Sequence, residues 1–193
     1  MYNHENNLKT KNKIYFLRHF KTLNNLNNVI SGRSTSPTIA TDIIIPTNTI
    51  FHKIYCSPAE RCRTTMNALP NNILEKADII FDERLLERNL GNLEGMPRNN
   101  AIKSYPVLFS KNKLDVFSTP PNGESYEVFF QRLHQFYNYT ICNMSNNQNI
   151  LICSHNQTLK MLYHILTKSD ITSVSWRNLS FDNGIITPIT EFL

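Results

Sequence analysis

The sequence holds no Cys-x-x-Cys pair, no long block of lysines and arginines, and no apolar run approaching the ~18 residues that a membrane helix needs. Each absence excludes something. Its four cysteines, Cys56, Cys62, Cys142 and Cys153, lie in or beside apolar segments, so neither a zinc site nor a thioredoxin-type motif is supported. Reduced thiols of a cytoplasmic protein are the expectation instead. The start of the chain, Met1 to Asn12, is polar and Asn-rich, without the apolar core of a signal peptide; it reads as a flexible tail. No membrane partner is expected. Aromatic residues do not alternate with basic ones and no nucleic-acid module is visible, so nucleic acid is not expected either. No metal-ligand spacing is present, and no cofactor is called for.

What is present suits one compact domain with a substantial core. The chain has 193 residues, 40% of them hydrophobic, with 11 Phe and 8 Tyr. A formal charge of +5 fits a small anionic, phosphorylated partner. Oligomeric state is left open, a dimer included.

One stretch organises the rest. Ile14-Tyr15-Phe16-Leu17 runs directly into Arg18 and His19. A continuous apolar run of this kind reads as a strand buried on both faces of a parallel sheet, with the polar pair at its carboxyl end. Ligands of open α/β sheets bind in the crevice beyond such ends. An arginine can hold a phosphate through its fork, and an imidazole can act as nucleophile or proton carrier.

Further strands are expected at Thr49–Cys56, Asp78–Phe81, Asn149–Ser154, near Ile171–Leu179 and at Gly184–Ile189. Ser57-Pro58-Ala59-Glu60 looks like a helix start, with Ser57 as N-cap and Glu60 completing a capping box; that helix should run to about Leu69. A long amphipathic helix is expected from about Glu124 to Cys142, burying Phe129, Leu133 and Phe136, and another from about Gln157 to Thr167. His52 reads as a strand-face residue and His134 as solvated. Residues 96–121 carry four prolines and several basic residues, among them Arg98, Lys103, Lys111 and Lys113; they read as an inserted cap. Alternating strands and helices indicate an α/β fold, with no internal repeat and one domain over residues 13–193.

Arg18 with His19, Arg61 and His155 all follow strand ends. In this order the chain resembles the histidine phosphatase superfamily, phosphoglycerate mutase-like branch, over roughly Lys13 to Leu166. Leu17-Arg18-His19-Phe20-Lys21-Thr22 resembles its Arg-His-Gly motif. Ser57-Pro58-Ala59-Glu60-Arg61 resembles Ser-Pro-Leu-x-Arg. Leu86-Glu87-Arg88 with Gly91 to Gly95 resembles the segment carrying the acidic proton donor. Pro121-Asn122-Gly123-Glu124-Ser125 resembles the Gly-Glu-Ser helix start, and Cys153-Ser154-His155-Asn156 resembles Ser-His-Gly. The resemblance implies a three-layer α/β/α fold with a mostly parallel central sheet. It also implies a metal-independent phosphatase in which His19 is the nucleophile, Glu87 the acid/base, and Arg18, Arg61 and His155 surround the phosphoryl group. Asn25, Lys21 and Asn156 would contact substrate, and Ser31-Gly32 falls where the family touches phosphate. Mutase activity and a non-enzymatic phosphate-binding role are the alternatives. Two glycines of the family pattern are replaced, by Phe20 and Asn156, and the ring of Phe20 is expected beside the phosphate pocket. The cap and Lys21 suit a substrate with more than one anionic group.

Overall fold

The computed structural model describes residues 12–47 and 49–192. The tail expected over residues 1–12 therefore lies outside the described residues, except Asn12, which opens the first strand. The strands are β1 (Asn12–Arg18), β2 (Lys53–Cys56), β3 (Asp78–Phe81), β4 (Phe109–Ser110), β5 (Lys113–Leu114), β6 (Asn149–Ser154) and β7 (Ile186–Phe192). The α-helices are α1 (Leu23–Leu26), α2 (Glu60–Asn67), α3 (Asn71–Leu74), α4 (Arg98–Ser104), α5 (Tyr126–Phe136), α6 (Asn156–Thr167) and α7 (Ser173–Asn178).

The fold is α/β around a mostly parallel five-stranded sheet in the order β3-β2-β6-β1-β7. Only β7 runs antiparallel, against β1. Side chains along each central strand alternate between two cores, as the pleat requires. Ile14, Phe16, Ile150 and Ile152 face α5 and α6, joining Phe129, Leu133, Leu159 and Leu162. Leu17, Ile54, Leu151 and Cys153 face the opposite way, joining Cys62, Met66 and Ile73 of α2 and α3. A third, smaller core of Ile30, Leu90, Leu93, Ala101 and Leu108 sits under the segment expected as a cap, where β4 and β5 form a hairpin.

Several local expectations are corrected. Ser57 does not cap α2: the N-cap is Ala59, without a side-chain hydrogen bond, and the helix ends at Asn67 rather than near Leu69. The Ser57 hydroxyl is engaged instead by the ring of His155, 2.9 Å away. Strand β2 begins at Lys53, and His52, whose Nδ1 accepts from the Asn149 N–H, lies just outside it. The helix expected to Cys142 is α-helical only to Phe136, and one π-helical turn, Tyr137–Ile141, follows. Residues 171–179 are not a strand. Thr172 and Ser175 form a capping box that starts α7, and Trp176 buries itself against the first core.

The segment expected as a cap is tied down by Arg88, a fully buried cation. Its guanidinium donates to the carbonyls of Val116, Ser118 and Glu124 at 2.7–3.1 Å. An Arg88→Ala chain would leave these carbonyls without partners and a void beside Phe129. It should unfold in urea with a loss of about 3 kcal/mol or more; a midpoint equal to wild type would contradict this role.

Candidate active site

The site is built by register. In the parallel ladder Arg18 pairs with Ser154 and Cys56 with Cys153, so β1, β6 and β2 end side by side. The residues just past those ends are His19, His155 and Ser57. Backbone hydrogen bonds carry the pairing one step further, from His19 N to Ser154 O and from Ser57 N to Cys153 O.

His19 is 6% exposed. Its Nδ1 lies 2.6 Å from the carbonyl oxygen of Phe20. A carbonyl only accepts, so Nδ1 carries the proton and Nε2 keeps its lone pair. Burial, reinforced by Arg61 and Arg18, pushes the ring's pKa down to about 3, with the Phe20 hydrogen bond opposing. The imidazole is thus neutral and aimed, as a nucleophile must be.

His19, Arg18, Arg61, Asn25, Glu87 and Gln157 line one cavity of 130 Å³, joined by Arg98 from α4. Among the described lining residues, three guanidinium groups face one carboxylate. Two buried donors belonging to lining residues, Arg18 Nε and Ser31 Oγ, have no partner. Buried polar groups are rarely left so, and an anion with several acceptor oxygens would satisfy both.

Arg61 is held from three sides. Its Nη groups donate to the carbonyls of Ser34 and Gly32, and its Nε donates to His155 Nδ1 at 3.1 Å. Because arginine cannot accept, Nδ1 of His155 is the acceptor and Nε2 donates to Ser57 Oγ. Burial first, then Arg61, drives the His155 pKa well below its ordinary value. Fully buried, His155 stands behind Arg61 rather than on the cavity wall, with its ring 5.2 Å from that of His19. Gly32 must be glycine: its φ is +49°, and a Cβ would fall 2.2 Å from Glu94 Oε1.

Glu87 occupies the amino end of α6. Its Oε1 accepts from Arg88 N, Thr158 N and Thr158 Oγ1, while Oε2 accepts only from Gln157 N, at 3.2 Å. Oε2, with the single donor, is the less committed of the two oxygens.

The other residues named from the sequence divide. Asn25 lines the cavity, but its Oδ1 is committed to Thr22 N and Oγ1 in a capping box, which leaves its amide NH2 for a ligand. Asn156 lines the cavity and accepts from Phe181 N. Lys21 is exposed and does not line it. Nor does Phe20: its ring is fully buried and packs against Gly184, where φ is +71° and a Cβ would come within 3.3 Å of the ring. The substituted position is accommodated away from the pocket. Sequence reading missed Gln157 and Thr158 as site residues and took Arg98 only as one of the cap's charges. A signal for the first two was available, since the free N–H groups of a helix start call for an acceptor.

Among the described residues no group of three His, Cys, Asp or Glu side chains could hold a metal ion, and no helix is long and apolar enough to cross a membrane.

The profile of the histidine phosphatase superfamily (branch 1) matches residues 47–191. The chain belongs to this superfamily. The profile match starts after His19, whose place in the site rests on the ladder described above. Among curated relatives, the chain is 28% identical over 123 residues to a 2,3-bisphosphoglycerate-dependent phosphoglycerate mutase of Cytophaga hutchinsonii, covering 61% of this chain and 56% of the relative. It spans about half the length of the phosphoglycerate mutases it matches. It is 26% identical over 158 residues to the adenosylcobalamin/alpha-ribazole phosphatase of Escherichia coli, covering 78% of this chain and 76% of that one. A solved structure described as a putative alpha-ribazole-5'-P phosphatase from Escherichia coli superposes with a TM-score of 0.76 at 19% identity, covering 95% and 97% of the two chains, and so shares the fold.

The neutral state of His19 has a measurable signature. Its pKa in the folded chain lies below the ordinary 6.5. The stability it contributes is therefore complete above about 6.5 and is lost as pH falls toward about 3, because the unfolded chain takes up the proton first. Long-range 1H–15N NMR should show the Nδ1-protonated neutral ring still present at a pH of about 5; a midpoint near the ordinary value would contradict the geometry.

Proposed function

We propose that this histidine phosphatase is a metal-independent hydrolase of a small phosphomonoester, acting through a phosphohistidine on His19. The observation that carries the reading is the neutral His19 ring, its Nε2 free, in a cavity where Arg18 Nε and Ser31 Oγ lack partners.

In the first step Nε2 attacks phosphorus in line, the P–N bond forms and the P–O bond to the leaving group breaks. Glu87, protonated at Oε2, gives its proton to the departing oxygen. In the second step Glu87 takes a proton from water, whose oxygen attacks the phosphohistidine and returns phosphate and the free imidazole. Arg18 and Arg61 offset charge on the equatorial oxygens in both steps, where positioning and electrostatics carry most of the rate. His155 serves by orienting Arg61. The departing alcohol and the attacking water take the same side of phosphorus, opposite His19, so one carboxyl can act as acid and then as base.

A mutase reading draws on the similarity to phosphoglycerate mutases. It requires isomerisation of 3-phosphoglycerate that depends on 2,3-bisphosphoglycerate, and the hydrolase reading expects phosphate release instead.

On p-nitrophenyl phosphate, His19→Ala should lower kcat by at least about a thousandfold and Glu87→Gln by about a hundredfold or more. Rapid quenching in base should trap an acid-labile phosphoryl group on wild type and none on His19→Ala. Equal rates for wild type and His19→Ala would remove the phosphohistidine from the reaction.

A further inference from the structure

Beside the His19 cavity lies a second, of 460 Å³. The two share wall residues: Arg98, Asn156 and Gln157 line both. Five cations face the second cavity, Arg98, Lys111, Lys113, Lys160 and Arg177, and no carboxylate lines it. Among the described residues none of the five is in an ion pair. Elements far apart in the chain supply them: α4, the β4–β5 hairpin, α6 and α7.

The arrangement is built rather than a loose surface scatter. Lys160 is only 6% exposed and holds its ammonium 5.1 Å over the Trp176 ring while donating to the Trp176 carbonyl at 2.6 Å. Lys113 donates to the Arg177 carbonyl, and Arg177 Nη1 donates to Ser110 Oγ, which fastens the hairpin to α7. Ser110 pairs with Lys113, so the hairpin turns on two residues, Lys111 and Asn112, with φ of +48° and +61°. That left-handed pair is the tight hairpin turn usually given to glycine or asparagine, and here it sets a lysine on the cavity rim. Burial, and next the charge of Lys113, bring the Lys160 pKa down to about 8. Crowded cations of this kind are relieved by an anion. The buried Gln157 Oε1 lacks a partner and sits on the shared wall, suited to a hydroxyl between the two compartments.

We infer that the second cavity binds a second phosphate group of the same substrate molecule, so that the preferred substrate is a small bisphosphate whose other phosphate lies at His19. This rests on the hydrolase reading for the reacting phosphate, while the binding of the second group does not. A space of this size suits a short scaffold rather than a polymer. Lysine ammoniums and an arginine fork are the groups that hold phosphate dianions.

Turnover and binding test it separately. A series of α,ω-alkanediol bisphosphates is compared with the matching alkyl monophosphates. Wild type should favour one length of bisphosphate by about tenfold or more in kcat/KM. In Lys160→Met, and in the doubly substituted Lys113→Gln with Arg177→Gln, the ratio of bisphosphate to monophosphate should fall several-fold. If Lys160→Met does not fold, Lys111→Gln and Lys113→Gln at exposed positions give the same reading. Calorimetric titration of His19→Ala with both compound classes measures binding without turnover. Tighter binding of the bisphosphate that disappears on Lys113→Gln with Arg177→Gln upholds the inference even if wild type hydrolyses nothing, a result that would sink only the hydrolase reading. Equal affinity for the two classes overturns the inference whatever the turnover. So does stronger binding of ω-carboxyalkyl phosphates than of bisphosphates.

Discussion

One short hydrogen bond, from His19 Nδ1 to the carbonyl of the next residue, decides what the rest of the site can do. It leaves the other nitrogen bare and fixes its direction. Burial first, and next the two arginines close by, keep the ring from taking a proton, so the charge that would attract a phosphate also preserves the bare nitrogen. The two functions reinforce each other only because the imidazole is buried. In open water the same arginines would be screened and the ring would titrate near neutrality.

Holding cations so close together has its own requirements. Arg61 is fixed by two loop carbonyls and by a neutral His155, a partner that adds no further positive charge. The carbonyl of Gly32 can reach it because that residue adopts a left-handed backbone without a Cβ against Glu94. Glu87, the carboxylate on the cavity wall, is set by the first N–H groups of α6 and by Thr158. Its position is therefore a property of how the loop after β3 crosses the start of that helix. The adjoining basic cavity extends the same logic: the cap hairpin and α7 add lysine and arginine beside the site with no carboxylate among them, so charge accumulates in one direction away from His19.

Local rules read the central strands, the third strand and the stripe of α5 from sequence, since those segments obey their own periodicity. They fail where a side chain has a remote partner. Ser57 follows the pattern of a helix cap, yet a histidine 98 positions away claims its hydroxyl. Residues 171–179 contain β-branched residues that suit a strand, but the Thr172–Ser175 box and the burial of Trp176 give a helix. Phe20 stands where the resemblance expects a glycine, and nothing near it in the sequence tells that Gly184 offers its ring a place.

By itself the sequence determined the α/β alternation and the identity of the groups gathered at the strand ends, because apolar runs ending in Arg18-His19 and His155 are local patterns set by strand burial. Tertiary structure alone decided which nitrogen of His19 is free, that His155 stands behind Arg61, that Lys21 lies outside the cavity, and that Lys160, Lys113 and Arg177 meet across a shared space. Those outcomes depend on hydrogen bonds and charges brought close by chain crossings of tens of residues or more, and no local spacing encodes such distances.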